Sequence, residues 1–559
     1  MASKRDESAY SDAAAEKQQL PIDSVTNSDG AVEVVPLENL QKSRWERSWP
    51  TIACGAGLFS DGYLNGVIGS VNTILGIIYP DEYDNSPASQ NVSSITFAGT
   101  VLGQLVFGVI SDRWSRKWAL MISTVILILF AALSAGSYGL DGSTYGMFAA
   151  LTAYRFFLGV GIGGEYPAGS VAAAESTGEL KKGHRNRWFI MFTNFQIDAG
   201  FVVAAIVPMI LVLIFTEDHL RAVWRVALGL GVIPPLSLFY LRLKLNEPEE
   251  FNRERMHKYP VWLIIKFYWW RLSVVSLIWF IYNFSSYSFS LYSSKWINII
   301  IGENAPLWQQ FGWNTLVNAF YIPGSSLGAF VSDWLGPRNA LAVGVLIQGI
   351  VGFIMSGCYE WLATPQYVAA FVVVYGIFLS LGELGPGDNI GLIASKTSAT
   401  AIRGQYYGIA AAMGKVGAFV GTYVLPIVQK NAPNPVRSGQ DPFFVSSSLC
   451  IFSAALAFFL LPHIGQDTIT EEDLNFRAYL EANGYDTSNM GNKNARAQNP
   501  ENTASEAITE ARASSITDIR NAIAITATTR RSASTRPAEV GAPSAQRLFI
   551  YRPDCFPTD

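Results

Sequence analysis

The sequence predicts an all-α polytopic membrane protein whose helices form two pseudo-symmetric six-helix bundles. Half of the 559 residues are hydrophobic and only 15% are charged, and the mean hydropathy is +0.23. A soluble domain of this length would be more polar. Apolar stretches long enough to cross a bilayer recur along the chain, and polar motifs inside them repeat at one fixed offset.

Each predicted span is an apolar stretch near the ~20 residues that a helix needs to cross ~30 Å of hydrocarbon. We predict twelve such transmembrane helices, at residues 50–78, 92–111, 118–137, 145–172, 187–215, 220–243, 271–300, 310–331, 339–357, 367–394, 402–428 and 442–462.

The segments outside the spans set the predicted domain boundaries. Residues 49–243 form the N-terminal bundle, residues 244–270 a central cytoplasmic loop, and residues 271–462 the C-terminal bundle. The tails, 1–48 and 463–559, are rich in Ser, Ala, Thr, Asn and Gln without a sustained apolar period, so we expect them to be disordered.

Charge in the loops predicts the orientation, because Lys and Arg are retained on the cytoplasmic side. No apolar segment typical of a cleaved signal peptide precedes the first span, which is therefore expected to direct insertion. The loops after spans two, four and six are basic, through Arg113, Arg116, Lys117, Lys181, Lys182, Arg185, Arg187, Arg242, Lys244, Arg253, Arg255 and Lys258. The opposite loops are acidic or neutral, with Asp81, Glu82, Asp84 and Glu303. We therefore place both termini in the cytoplasm.

Cysteine and histidine give no sign of a cofactor or metal. The four cysteines form no paired framework or metal spacing, and the four histidines lie in loops or at helix ends. No nucleophile and base pair emerges either. We expect neither an enzyme nor a nucleic-acid partner, and no metal or cofactor.

An internal repeat is the strongest indication of two related bundles. The stretch GVISDRWSRK ends span two and AFVSDWLGPRN ends span eight, which places Asp112 and Asp333 221 residues apart. GEYPAGS in span four is echoed by GELGPGDN in span ten, with Glu165 and Glu383 218 residues apart. One offset of about 220 residues relates six helices to the next six.

Polar residues inside the spans are candidates for a functional site, because each is costly in lipid. At the same offset, Asp61 falls near Asn283 and Gln196 near Lys415. At ~1.5 Å rise per residue, Asp61, Asn283 and Lys415 reach the bilayer midplane, and Arg155 arrives at a similar level from the opposite side.

Two buried cations, Arg155 and Lys415, favour an anionic substrate, since guanidinium matches phosphate or carboxylate oxygens and ammonium adds a point charge. An alternative is that Arg155 forms only an ion pair with Glu165 inside the bundle. Lys415 has no partner in view in the sequence.

Span seven offers hydrogen-bond donors on one helical face, because Trp279, Asn283 and Tyr287 lie at i, i+4 and i+8. Spans four and ten add Tyr166 and Asp388. Rows of aromatic side chains on membrane helices usually serve helix packing. The polar Asn283 between Trp279 and Tyr287 is what favours substrate binding by this face.

The basic motif after span two predicts a gate at the cytoplasmic face. Asp112 is able to cap or pair differently as the bundles move, together with Arg113, Arg116 and Lys117. The basic residues also serve membrane orientation.

At this level of detail the residues resemble a known family. RFFLGVGIGGEYPAGSVAAAE (155–175), the W-x3-N-x3-Y of span seven and AAAMGKVGAFVG (410–421) are similar to the phosphate:proton symporters of the major facilitator fold. TNFQIDAGFVV (193–203), NEPEEF (246–251) and WFIYNFSSYSF (279–289) resemble fungal glycerophosphodiester permeases, the glycerophosphoinositol transporters.

The resemblance implies roles for the residues already singled out. Those matching positions around phosphate are Arg155, Tyr166, Gln196, Trp279, Tyr287 and Lys415, and those matching proton-coupling acids are Asp61 and Glu165. Phosphate symporters resemble W-x3-D-x3-Y on span seven, whereas this chain has Asn283, and their Gly-Pro-Asn on span ten is replaced here by Gly385-Pro386-Gly387.

The departure at Asn283 indicates a phosphodiester rather than inorganic phosphate. Phosphate near neutral pH keeps a P–OH that donates to a carboxylate, whereas a diester is a monoanion without one, and an amide is able to donate to it. We therefore expect proton-coupled uptake of glycerophosphoinositol or glycerophosphocholine across the plasma membrane. The alternatives are an inorganic phosphate:proton symporter and a nutrient-sensing receptor that resembles a transporter.

Overall fold

The computed structural model describes residues 23–26, 32–35, 51–177, 183–256, 258–301, 305–465, 468–487 and 490. Most of the two predicted tails, and the loop residues Lys181, Lys182 and Glu303, lie outside these ranges.

The N-terminal half is a bundle of helices joined by short turns. Its helices are α1 Leu58–Ile78, α2 Ala88–Arg113, α3 Arg116–Ala135, α4 Thr144–Glu165, α5 Val171–Ser176, α6 Arg185–Phe192, α7 Asn194–Phe215, α8 Leu220–Gly229 and α9 Ile233–Leu243. A short helix, α10 Glu249–Glu254, follows in the central loop.

The C-terminal half repeats this plan. Its helices are α11 Val261–Ile301, α12 Leu307–Ala319, α13 Tyr321–Leu335, α14 Pro337–Gly357, α15 Tyr359–Leu362, α16 Val368–Gly382, α17 Asp388–Lys396, α18 Arg403–Lys430 and α19 Pro435–Leu460.

Ten helical stretches among the described residues are long and apolar enough to cross a membrane. They correspond to ten of the twelve predicted spans. The first predicted span is occupied by α1, and the eighth is divided at Phe320 between α12 and α13. The count of twelve therefore remains a prediction for these two.

The prediction of a disordered C-terminal tail is wrong for one segment. A helix, α20 Thr468–Ala482, packs Phe476 and Leu480 against the start of α11. In the N-terminal tail, strands β1 Asp23–Thr26 and β2 Val32–Val35 pair antiparallel. The disorder prediction was based on the absence of a long apolar period. Short segments of this kind form without such a period.

Two helices widen into a π-helical turn at equivalent places of the repeat. Tyr166–Ser170 joins α4 to α5, and Glu383–Gly387 joins α16 to α17. Each turn contains a proline, which lacks the N–H that a regular helix would use. Such turns are frequent at functional sites, and both border the cavity described below.

The halves meet along two helix pairs, α2 with α18 and α7 with α12. Gly408 makes the first contact close, because a Cβ placed there would lie 2.5 Å from the backbone oxygen of Gln104. The cavity lies between these two pairs.

Candidate functional site

A central cavity between the two halves holds most of the predicted binding residues. It contains about 660 Å³ of space, including the part open towards solvent. Both halves contribute to its wall, and the polar side chains on it are Tyr166, Ser170, Thr193, Asn194, Asp198, Trp279, Tyr282, Asn283, Ser286, Tyr287, Ser290, Tyr321, Glu383, Asp388 and Tyr407.

An ion pair across the two halves lies directly behind one wall of the cavity. Lys415 Nζ on α18 is 3.4 Å from Asp61 Oδ2 on α1, and both side chains are buried. Tyr166 donates to the same carboxylate oxygen, Tyr287 lies 3.4 Å from it, and Asn65 donates to the other oxygen. Lys415 thus has the acidic partner that the sequence alone did not reveal.

Two phenol rings link this ion pair to the cavity. Lys415 donates to the hydroxyl of Tyr287, and its ammonium lies 3.9 Å from the centre of that ring and 4.9 Å from the centre of Tyr166. A desolvated cation over an aromatic face is stabilised by about 2 kcal/mol. Since Tyr166 and Tyr287 line the cavity, a bound anion would reach the same cluster of donors.

The predicted face of α11 lines the cavity with Trp279, Asn283 and Tyr287. Trp279 is 6% exposed and Asn283 is 3% exposed. Within the described parts of the chain, neither the indole N–H nor the amide of Asn283 has a hydrogen-bond partner. Donors without a partner on a cavity wall are available to an acceptor on a ligand or water.

Arg155 and Gln196 lie outside the cavity. The guanidinium of Arg155 donates from Nε to the backbone oxygen of Val92 at 2.8 Å and from Nη1 to that of Leu64 at 3.4 Å. Gln196 donates to the backbone oxygen of Met191 at 3.2 Å. Their roles in substrate binding therefore stay predictions, because neither side chain lines the cavity in this conformation.

Glu165 is paired with Arg242, not with Arg155. Arg242 donates to both carboxylate oxygens, at 2.7 and 2.5 Å, and Ser123 donates to one of them at 2.7 Å. This bidentate pair is fully buried within the N-terminal half and does not line the cavity. Arg242 sits in a stretch that the sequence analysis assigned to orientation alone.

A second wall of the cavity is acidic, and of its three carboxylates the sequence analysis predicted only Asp388 as a binding residue. The amide of Asn194 donates to Asp198 at 3.4 Å, to Glu383 at 3.0 Å and to Asp388 at 2.9 Å. Tyr282 donates to Glu383 at 2.8 Å. The repeat offset had marked Glu383 as the counterpart of Glu165, and that signal was sufficient to find it.

The predicted gate residue Asp112 joins the end of α2 to the start of α18. Its carboxylate accepts from the backbone N–H of Gly404 at 2.8 Å and of Gln405 at 2.7 Å. These are free N–H groups of the first helical turn, where a negative charge is also favoured by the helix dipole. We call this end of the bundle the tail side, since α20 lies there.

The repeat places Asp333 in the matching position of the other half. Asp333 lies in the last turn of α13, accepts from the backbone N–H of Arg187 at 3.2 Å and pairs with its guanidinium at 3.1 Å. Arg187 lies in the first turn of α6, as Gly404 and Gln405 do in α18. Each half thus binds the start of a helix in the other half.

The remaining predicted gate residues differ in their contacts. Arg116 is buried and pairs with Asp112 at 2.5 Å and with Glu175 at 2.9 Å, and Arg403 from the other half also reaches Glu175 at 3.2 Å. Arg113 is exposed and stacks on the ring of Tyr259 at 5.1 Å. Lys117 donates to the backbone oxygen of Leu243 at 2.8 Å. Arg116 therefore joins the two halves at the tail side, whereas Arg113 contacts the central loop and the Lys117 side chain contacts the end of α9.

Helix α20 closes over the same end through Asp473. The carboxylate accepts from the backbone N–H of Thr400 at 2.6 Å and from its hydroxyl at 2.7 Å. Burial raises the pKa of Asp473 to about 6, although Arg403 opposes the rise. Nearby Glu254 raises it further.

We expect α20 to be held more firmly at pH 5 than at pH 7. Because the folded pKa of Asp473 is about 6 and its ordinary value is 3.8, the docked helix binds the proton more tightly than the free one. Docking is therefore strongest below about pH 4, weakens as pH rises towards 6 and is constant above. Amide hydrogen exchange of residues 468–482, corrected for the intrinsic rate, should be up to about tenfold slower at pH 5. Asp473→Asn should remove the difference, and equal protection of the native helix at both pH values would contradict it.

No group of three or more metal-ligating side chains is arranged around a common point within the described ranges.

Known proteins match the chain over the region that carries this site. A family model of sugar (and other) transporters matches residues 49–259 and 249–476. The glycerophosphodiester transporter GIT2 of Candida albicans is 56% identical over 462 residues, covering 80% of this chain and 85% of that protein. The glycerophosphocholine permease GIT4 of the same organism is 52% identical over 486 residues, covering 85% and 88%.

Two more distant matches are also named as transport proteins. The inorganic phosphate transporter 1-6 of Oryza sativa subsp. japonica is 25% identical, covering 81% of this chain and 97% of that protein. The structure of the proton:xylose symporter XylE bound to 6-bromo-6-deoxy-D-glucose superposes with a TM-score of 0.65 at 16% identity, covering 77% of this chain and 98% of XylE. This likeness supports the major facilitator fold.

The chain is therefore a multi-pass membrane transporter of the sugar (and other) transporter family, and not an enzyme. Within that family it belongs with the fungal glycerophosphodiester permeases, as the resemblance in its span motifs implied.

Proposed function

We propose that this protein imports glycerophosphodiesters with protons across the plasma membrane by alternating access, with both termini in the cytoplasm. The observation that carries the proposal is the contact between Lys415 and Asp61 behind the cavity wall. A substrate phosphate and the Asp61 carboxylate compete for one ammonium, so that binding of the anion and protonation of the acid favour each other.

The transport cycle follows from this competition. Protonation of Asp61 releases Lys415, and the diester oxygens then accept from Lys415, Tyr166, Tyr287 and the two unpartnered donors of α11. When the substrate leaves on the cytoplasmic side, Lys415 returns to Asp61, and the restored ion pair expels the proton. The tail-side contacts of Asp112 and Asp333 separate in that step.

Charge balance sets the minimum stoichiometry. Moving one charge against 100 mV costs about 2.3 kcal/mol, so an uncoupled monoanion would flow outward in a cell that is negative inside. Import driven by the membrane potential requires at least about two protons per diester. Asp61 is one proposed carrier, and Glu165 is the second.

Transport by the purified protein in liposomes tests the proposal. Labelled glycerophosphoinositol, glycerophosphocholine and inorganic phosphate are offered with an inward proton gradient. We expect both diesters to enter and phosphate to enter slowly or not at all. Transport of phosphate without any diester would overturn the proposal in favour of a phosphate symporter. The more distant relative from Oryza sativa is named an inorganic phosphate transporter.

Asn283→Asp should shift the substrate preference from diesters towards inorganic phosphate. The new carboxylate repels a diester, which has no acidic proton, whereas phosphate donates its P–OH to it. We expect the KM for a diester to rise at least about tenfold, because like charges side by side cost several kcal/mol. The ratio of phosphate to diester uptake should rise with it.

Asn283→Ala is the matched control, since it removes the amide without adding charge. Its KM should rise less than that of Asn283→Asp, and phosphate uptake should not improve. If both variants lose diester transport equally and neither gains phosphate, charge at this position does not set the preference.

A further inference from the structure

The central cavity has two walls of opposite character. One wall holds hydrogen-bond donors, Trp279 and Asn283, in front of Lys415. The other holds the carboxylates of Asp198, Glu383 and Asp388, which are 1%, 6% and 1% exposed. A substrate in the cavity meets both walls at once.

The acidic wall lacks a compensating positive charge. No Lys, Arg or His is among the described residues that line the cavity, and the nearby Lys415 is already paired with Asp61. The three carboxylates share one amide, that of Asn194, and Asp388 Oδ2 has no hydrogen-bond partner within the described ranges. Buried like charges without a cation are strongly unfavourable.

Aromatic rings complete the acidic side of the cavity. Phe201 and Tyr321 lie with ring centres 5.7 Å apart, and both line the cavity. Tyr282 donates to Glu383 and lines it as well. Carboxylates and aromatic faces together are the chemistry that binds a quaternary ammonium group.

Helix α11 connects the two walls. Tyr282 and Ser286 lie four residues apart on one face, and Asn283 and Tyr287 lie four residues apart on the next, about 100° around the helix. A molecule lying against α11 therefore places one end at the donors and the other at the acids.

We propose that the wall of Asp198, Glu383 and Asp388 binds the positively charged head group of a zwitterionic diester, a quaternary ammonium, while its phosphate lies at the donor wall. This inference rests on the proposed function and deepens it. Since Asp198 comes from the N-terminal half and the other two acids from the C-terminal half, the cation also draws the halves together around the substrate.

The test compares two diesters that differ in head group charge. Uptake by the full-length protein in liposomes is measured for glycerophosphocholine and for glycerophosphoglycerol, whose head group is neutral. We expect the KM for glycerophosphocholine to be at least about tenfold lower, as expected for a desolvated cation on acids and aromatic rings. Equal KM values for the two diesters in the wild-type protein would overturn the inference.

Substitutions at the acidic wall give the second comparison. Asp388→Asn and Glu383→Gln should each raise the KM for glycerophosphocholine about tenfold more than that for glycerophosphoglycerol. Uptake of glycerophosphoglycerol shows that each variant is folded, and the exposed Glu360→Gln serves as the matched acid-to-amide control. Equal losses for both diesters would also overturn the inference.

The outcomes separate this inference from the proposed function. If the wild-type protein carries both diesters without preference, only the head group site is rejected. If it carries phosphate and no diester, the proposed function fails first.

Discussion

Asp61→Asn is expected to abolish voltage-driven accumulation of the diester while substrate exchange across the membrane continues. With two protons per monoanion, the wild-type protein moves one net positive charge, and 100 mV then supports an inside concentration up to about 50-fold above the outside one. Without the proton on Asp61, the transported complex carries no net positive charge. The variant should therefore not concentrate the substrate when pH is equal on both sides.

The measurement uses liposomes with an imposed potential, negative inside, and equal pH. Labelled diester should accumulate with the wild-type protein and stop at the outside concentration or below it with Asp61→Asn. Counterflow, in which labelled diester exchanges for unlabelled diester, should persist because Lys415 still binds the anion. Loss of both activities would indicate a folding defect, and accumulation at the wild-type level would rule out Asp61 as a proton carrier.

The repeat in the sequence carried most of what was predictable about the site. It related Asp112 to Asp333, and the structure places both in the same contact, each with the first turn of a helix in the other half. The rise per residue, in turn, placed Asp61 and Lys415 at one depth, and they form an ion pair. Depth along a helix follows from residue number, so these positions were accessible without coordinates.

What the sequence could not supply is the direction in which a side chain points at a given depth. Arg155 lies near the predicted level, yet it faces backbone oxygens of α1 and α2 instead of the cavity. Gln196 likewise turns away, while Asn194 and Asp198 on the same helix reach the acidic wall. The direction in which a side chain faces depends on how the helices cross, and a single sequence does not determine that crossing.

Glu165 shows how two roles meet in one residue. As a proton carrier it must exchange its charge during transport, but the structure holds it in a buried bidentate pair with Arg242. That pair joins α4 to α9 and, through Thr124 at 2.6 Å from Arg242, to α3. Protonation of Glu165 would therefore loosen three helices of the N-terminal half together.

Arg242→Leu is expected to be the most destabilising single substitution at these sites. It leaves Glu165 as a buried charge without a partner, which typically costs about 3–5 kcal/mol. For a helical half of this size the melting temperature should fall by roughly 6–20 °C. Thermal unfolding of the purified protein in detergent measures the change.

The double variant Arg242→Leu with Glu165→Leu distinguishes the two causes that the loss of stability could have. Replacing both partners of a buried ion pair by apolar groups is often neutral or stabilising, so its melting temperature should return close to that of the wild-type protein. If the double variant is as unstable as Arg242→Leu, the loss comes from packing and not from an unpaired charge. Transport by the double variant then tests Glu165 itself. If the stable protein exchanges the diester but does not accumulate it, Glu165 is a proton carrier. If it accumulates the diester fully, the pair of Glu165 and Arg242 only holds the helices together.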